Sequence, residues 1–343
     1  MARADRFLKA CRREQVDCTP VWMMRQAGRY MKEYRDIRAK HSFLEMCKNP
    51  ELASKITLLP VHRFEIDAAI IFADILLPLE PMGMELNYSK GEGPVISNPV
   101  RNLRDVEKLQ PVESSTQLQF LMDAIRITLK ELDRQVPLIG FSGAPFTLAS
   151  YIIEGGGSRY YEHTKALMYN EPLAWHKFME YLSEVVINYL QAQISAGVHA
   201  VQIFDSWVGC MSVSDYKEFV FPHQKKLLDR LKKTVPVIHF AFNAGHLIEL
   251  VSEAGGNVIG VDWRINIDQA WKRAGYQRAI QGNLDPVTLF GPVDFIEKRV
   301  KQILDMVAGR NGHIMNLGHG ILPTTPVEHA EAFVNAVHQL SRR

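Results

Sequence analysis

The sequence is poor in the features that define several protein classes. Cysteine is scarce: Cys11, Cys18, Cys47 and Cys210 are the only thiols in 343 residues, with no CxxC pair and no Cys/His cluster. That excludes a disulfide framework and points to a reducing compartment. No stretch approaches 18 consecutive apolar residues, so no spanning helix is expected and no membrane is expected as a partner. The opening residues Met1-Ala-Arg-Ala-Asp-Arg carry charge but no apolar core segment, which is not the pattern of a signal peptide. Cytoplasm is the default location. Net charge is only +2, which gives no global attraction to nucleic acid or an anionic membrane. Neither a GxGxxG turn after the first strand nor a P-loop is present, and the nucleotide-binding doubly wound fold loses support.

What the chain has is ordinary bulk and a strong alternation. At 47% hydrophobic and 23% charged it can bury a sizeable core without staples. Short apolar runs recur at 20–24, 68–74, 138–143, 201–206, 237–241, 258–262, 279–284 and 314–318. Continuous runs of this length predict strands buried on both faces, hence parallel. Amphipathic stretches separate them, clearest over 171–197, 216–233 and 294–308, so the pattern predicts right-handed βαβ units. Eight runs fit one closed α/β (β/α)8 barrel over residues 1–343. The Pro- and Gly-rich stretch 80–111 interrupts the alternation and predicts a hairpin outside the barrel.

In such a barrel the chemistry sits at the carboxyl ends of the strands. The residues there are Arg25, Asp74, Ser142, Ser206, Asn243, Asp262, Asn283 and His319. Arg25 and Arg29 flank Gly28 just after a buried Trp-Met-Met run, which suits a carboxylate clamp better than a solvated helix face. Asp74 closes an apolar run, where an unpaired carboxylate is costly. It is either a structural acid or a carboxylate for a cation or N–H donors in a dry pocket. Ser206 has no GxSxG surroundings, which disfavours a serine hydrolase. His319 lies between glycines that would let backbone approach a ligand. The triplet Gly155–Gly157 is a weak phosphate signal without Lys and Ser/Thr around it, and a loop is the plainer reading.

Met24-Arg-Gln-Ala-Gly-Arg-Tyr30 strongly resembles the N-terminal signature of the uroporphyrinogen decarboxylase family. So do Gly140-Phe-Ser-Gly-Ala-Pro-Phe-Thr-Leu148 with Glu154-Gly-Gly-Gly-Ser158, Ile71-Phe-Ala-Asp-Ile75, Val201–Ser206, Gln281–Pro286 and Asn316–Gly320, in family order over nearly the whole chain. The resemblance implies a single distorted TIM barrel acting as a homodimer. It implies an enzyme, a carboxy-lyase of haem biosynthesis that converts the acetate arms of uroporphyrinogen to methyls with no metal and no organic cofactor. By position it implies that Arg25 and Arg29 bind substrate carboxylates, with Gln26, Ala27 and Gly28 lining the same loop. Arg38 matches a further substrate contact. Asp74 matches the aspartate facing the pyrrole N–H groups, and Tyr151, Ser206 and His319 match polar groups around the tetrapyrrole. Asp74 and Arg25 are the candidate catalytic pair, although arginine is a poor acid at neutral pH. One departure is that Trp207-Val-Gly follows Ser206.

Two rivals are weighed against this. A corrinoid-linked methyltransferase would share the barrel but use zinc, with a His-x-Cys pair; here His239-Phe-Ala241 lacks the thiolate. A non-catalytic porphyrin carrier could use the same pocket, and turnover distinguishes it.

Overall fold

The computed structural model describes residues 3–89, 93–231 and 235–343. Among them nine strands form: β1 (Ala69–Ile70), β2 (Leu86–Ser89), β3 (Gly93–Ile96), β4 (Leu138–Gly143), β5 (Ala200–Asp205), β6 (Val237–Ala241), β7 (Val258–Gly260), β8 (Ala279–Gln281) and β9 (His313–Ile314). Seven of them pair in parallel in the order β1-β4-β5-β6-β7-β8-β9. Residues 20–24 close the ring. Val21 bridges Met315 in parallel, Met315 N–H donates to Pro20 O at 2.8 Å, and on the other edge Asp67 N–H donates to Val21 O at 2.8 Å. The chain is therefore an α/β barrel of the TIM type whose closing segment makes only a partial ladder. That segment is where the expected distortion lies.

The runs at 138–143 and 237–241 form strands of their full length, whereas those at 68–74, 258–262, 279–284 and 314–318 form shorter ones. The run at 68–74 stays in the ladder through Ile71, whose N–H donates to Ile139 O at 3.0 Å. The next amide, Phe72, donates to Thr57 Oγ1 at 2.9 Å, so the chain leaves the sheet and turns Asp74 toward the mouth.

Alternation along the strands divides the core. Ile139, Ala200, Ile238, Phe240, Val258, Ala279 and Ile314 pack inside the ring, and Phe7, Ala10 and Cys11 of the helix Arg3–Cys11 plug its amino end. A polar chain crosses the lumen: Trp22 Nε1 donates to Gln281 Oε1, and Gln281 Nε2 donates to Gln202 Oε1, both at 3.0 Å. A much larger apolar cluster lies between the ring and the helices, where Pro172–Ala196 buries Trp175, Phe178, Leu182 and Tyr189. That helix ends at Gly197, φ 113°, a left-handed stop that glycine takes without steric cost.

The seam at the closing segment is fastened by Asp67. Its fully buried carboxylate accepts from Arg6 Nη1 at 2.5 Å, Val21 N–H at 2.8 Å and His338 Nε2 at 2.7 Å. Arg6 also forks onto Asp17 through Nε and Nη2 at 2.8 and 3.0 Å. That fork is the main reason the Asp17 carboxyl sits well below the usual range.

The stretch 216–233 departs from the uniform helix its periodicity predicts. Tyr216–Val220 is a wider π turn, and an α-helix runs from Phe221 to Leu231. The end of that stretch, 232–233, lies outside the described residues. The stretch 80–111 does form the expected hairpin, β2 with β3 in antiparallel register from Leu86↔Ile96 to Ser89↔Gly93; Gly91 lies outside the described residues. The hairpin stands outside the ring but leans over its mouth, with Ile96 N–H donating to Gly155 O at 2.9 Å and Val100 N–H to Ile152 O at 3.2 Å.

Candidate active site

The loop after the closing segment is built to present two guanidinium groups. Gln26 is fully buried. Its Oε1 accepts from Met23 N–H and its Nε2 donates to Ala68 O, both at 3.1 Å. Its side chain therefore pins the loop to the ring and is committed to backbone. Tyr30 Oη donates to Gln26 O at 2.6 Å and fixes the far end. Arg25 takes φ 61°, a left-handed conformation costing roughly 1–2 kcal/mol for a residue with a Cβ. A Cβ on Gly28 would stand 2.9 Å from Arg25 O, so the tight turn requires glycine there. Ala27 and Gly28 are half-buried; Arg25 and Arg29 are exposed.

The glycines beside His319 have a packing reason of their own. A Cβ on Gly320 would lie 2.5 Å from Arg25 Cδ, and one on Gly318 would lie 2.7 Å from Trp263 N. Gly320 is thus the seat of the Arg25 side chain. Gly155 likewise is the helix stop after Pro145–Glu154, with φ 83°, which gives the glycine triplet a structural use.

Asp74 is half-buried, and burial is the main reason its pKa is raised. The Leu76 N–H at 2.8 Å, the Tyr88 hydroxyl and the charge of Arg25 pull it back toward ionisation. Arg25 and Asp74 both act on Tyr151, whose phenol is pushed up to about 12, mainly by burial and then by the Asp74 charge. Tyr151 packs edge-on against Trp207 with ring centroids 5.4 Å apart, so the unusual Trp207 forms part of this wall. His319 lies 4.6 Å from the Phe242 ring. Burial, then the charges of Arg25 and Arg264, lowers its pKa to about 4, so at neutral pH it is an uncharged imidazole. Tyr34 gathers the remaining cations. Its pKa is raised by burial while Arg38, Arg29 and Arg25 each lower it. Arg38 Nη1 also donates to His41 O at 2.7 Å. The expected residues are linked electrostatically: the charge of Arg25 acts on Asp74, Tyr151 and His319, and those of Arg25, Arg29 and Arg38 act on Tyr34. Ser206 is half-buried at the end of β5, beside Trp207.

Three contributors were not singled out from the sequence. Asp205, fully buried, accepts from Thr147 Oγ1 at 2.9 Å, and the same hydroxyl accepts from Trp207 N–H at 3.3 Å, which holds the Ser206–Trp207 turn in place. Burial pushes its carboxyl up to about 7. Arg264 reaches the mouth from the loop after β7. Tyr88 comes from the hairpin, its ring 5.1 Å from Phe43. Its buried hydroxyl makes no full hydrogen bond among the described residues. It nevertheless lies close enough to Asp74 to lower that carboxyl's pKa. Tyr88→Phe should lower kcat a few-fold, less than the roughly tenfold cost of a full hydrogen bond to a charged group. It should also move the acid limb of the pH–rate profile upward, because the Asp74 anion loses a stabilising neighbour. Unchanged kcat together with an unchanged acid limb would remove Tyr88 from the site.

His239 is not part of this mouth. Ile238 and Phe240 on either side face the lumen, which turns His239 outward against Gly256. The described residues contain no group of three or more His, Cys, Asp or Glu placed to hold a metal ion.

Residues 2–340 match the family model for uroporphyrinogen decarboxylase (URO-D). The chain belongs to the uroporphyrinogen decarboxylase family. Its relatives of that name include one from Carboxydothermus hydrogenoformans, 57% identical over 338 residues that span 98% of this chain and 97% of the other. Another, from Sorangium cellulosum, is 56% identical over 339 residues, spanning 98% and 97%. Among solved structures, a methyltransferase from Methanosarcina mazei superposes with TM-score 0.85 at 21% identity over 99% of both chains. At that identity the likeness speaks for the shared barrel alone. In the structure, the arginine loop, Asp74 and the Asn316–Gly320 turn follow three neighbouring elements of the ring: the closing segment, β1 and β9.

Proposed function

We propose that this protein decarboxylates the four acetate arms of uroporphyrinogen III to methyls, giving coproporphyrinogen III in haem biosynthesis. The observation that carries the reading is the family match over residues 2–340, supported by a half-buried carboxylate, Asp74, within the field of Arg25 at the barrel mouth. The substrate needs arginine for its acidic arms. Losing carbon dioxide needs an electron sink, and a pyrrole ring protonated at carbon is one. The acetate C–C bond then breaks, carbon dioxide leaves, and the bonding pair neutralises the ring. The resulting exocyclic methylene takes up a proton to become methyl, and the ring carbon releases its own. Each arm thus consumes one proton and yields one carbon dioxide.

In this reading Asp74 stabilises the cationic ring through the pyrrole N–H groups, where low dielectric strengthens the attraction. Arg25 binds the reacting arm and, with its charge on Asp74, helps keep that carboxyl ionised. Arg29 and Arg38 bind peripheral carboxylates. Gln26, Ala27 and Gly28 line the loop. Tyr151, Ser206 and His319 offer polar contacts around the macrocycle. The substrate supplies its own electron sink, so the chemistry calls for no cofactor and no metal. Location in the cytoplasm rests on the sparse, free cysteines and on the lack, among the described residues, of a helix long and apolar enough to cross a membrane. Pairing of two copies rests on the family resemblance and on exposed Tyr160, Tyr169, Leu173 and Val213.

The deciding experiment incubates the protein with enzymatically generated uroporphyrinogen, oxidises the mixture and separates porphyrins by carboxylate number. The expected result is a progression from eight carboxylates to four. Absence of any product with fewer carboxylates sinks the reading.

A further inference from the structure

We propose that Arg264 forms a second carboxylate subsite, on a wall of the mouth that the arginine loop does not reach. The proposal rests on the reading of this mouth as a tetrapyrrole site and deepens it. A macrocycle with acidic arms on every side needs cations around its whole perimeter. Arg25 and Arg29 follow the closing segment and Arg38 ends the next helix, Lys32–Arg38, so the three lie on one arc of the rim. Between that arc and β7 the ring holds β8 and β9. Arg264 follows β7 and stands on this other arc; His319 links the two, its ring 4.6 Å from the Phe242 ring on which Arg264 stacks and its neighbour Gly320 seating Arg25.

Its presentation is that of a preorganised ligand group. The guanidinium lies over the Trp263 ring at 4.2 Å and over the Phe242 ring at 4.8 Å. Stacking holds the plane while leaving its N–H edge free, so little rotamer entropy remains to be lost on binding. The loop beneath is fixed: Asn283 Nδ2 donates to Asp262 O at 2.9 Å and Ile265 O at 2.7 Å. The nearest counter-charge, Asp262, is a loose partner at 3.5 Å, and the Arg264 side chain remains 44% exposed. The Asp262 oxygens are already taken, one by the Arg264 N–H at 2.8 Å and the other by the Asn243 N–H.

Arg264 borders a rim cavity of about 520 Å³ that also includes Asn243, His246, Asn266, Gln269 and Arg273. Of its two arginines, Arg273 is committed to Glu249, with Nε and Nη2 forked onto the carboxylate at 2.6 and 2.7 Å. Arg264 therefore remains as the cation for an anionic arm entering there. Asn243, Asn266 and Gln269 supply neutral donors beside it. A flexible surface arginine without a role would have neither the two-ring platform nor the cavity.

Two measurements on the full chain test the subsite. The first is binding of uroporphyrin, a stable octacarboxylate, followed by fluorescence quenching. Arg264→Gln should weaken it about tenfold, the low end for a charge-assisted hydrogen bond, and Arg264→Lys should recover only part of the loss. The second is steady-state decarboxylation of uroporphyrinogen, where Arg264→Gln should raise KM far more than it lowers kcat. Equal uroporphyrin affinity for parent and Arg264→Gln overturns the subsite whatever the turnover data show. Normal uroporphyrin binding by the parent without turnover overturns the decarboxylase reading instead and leaves the subsite standing on its binding data.

Discussion

Replacing Asp74 with Asn lowers kcat by at least ~10²–10³, the usual cost of deleting one preorganised electrostatic group. The substitution keeps size, removes the negative charge and turns one acceptor oxygen into an N–H donor, so the loss reports both the field and the acceptor at the pyrrole nitrogens. A second expectation separates function from stability. Burial raises the Asp74 pKa, so between the unfolded and folded values the native state holds the extra proton. Stability therefore falls as pH rises through that window. Above that window the ionised carboxylate is a cost to the fold, and Asp74→Asn should melt no lower than the parent, while activity collapses. The parent's own activity should fall on acidification at a pH above the ordinary carboxylate range. Near-normal kcat in Asp74→Asn, measured on protein with a parental melting temperature, would take Asp74 out of the mechanism.

Replacing Asp67 with Ala produces the largest loss of stability expected here, about 3–5 kcal/mol, the cost of breaking a buried ion pair by removing one partner. Asp67 is fully buried and accepts three hydrogen bonds, from Arg6, the Val21 amide and His338. Its removal strands the Arg6 Nη1 and the Val21 N–H in the seam that closes the ring. The loss should appear as a lower denaturant midpoint and a lower Tm in the absence of substrate. Because Val21 starts the segment that carries Arg25 and Arg29, residual folded protein should also bind substrate more weakly. An unchanged denaturant midpoint would mean that the seam is held by other contacts.

The difference between these two aspartates shows what could be read from the sequence. Asp74 was visible because it ends an apolar run, where a charge is conspicuous, and because that run fits a family pattern. Asp67 sits a few residues earlier, in Phe64-Glu-Ile-Asp-Ala68. Nothing local distinguishes it from a loop acid, since its partners come from residues 6, 21 and 338. The parallel barrel was legible because strands buried on both faces write themselves as continuous apolar runs. Their ends were not: the Phe72 amide is diverted by the Thr57 hydroxyl, a tertiary event with no signature in residues 68–74. Tyr88 escaped notice because Pro and Gly content marks a hairpin as peripheral, while its lean over the mouth depends on contacts with residues 152 and 155. Arg264 was hidden because its rings, Phe242 and Trp263, flank two different strands. Gln26 was expected to line the arginine loop, but its side chain faces the ring, a commitment no local pattern announces.

The closing segment has a consequence in time. The neighbours that set its register lie near residue 67 on one side and at Met315 on the other. Arg25, Arg29 and Gln26 leave the ribosome early. Their loop cannot take up its final register on the ring until residues 313–317 have been made, because Met315 supplies half of the pairing and Asn316 Oδ1 receives the Met24 N–H. Gly320, which seats Arg25, comes later still. Closing so long a loop comes late in folding, after the local units have formed. The arginine-rimmed mouth is therefore among the last parts of the protein to exist, and a nascent or damaged chain that stops short of this stretch can hold most of a barrel without completing that mouth.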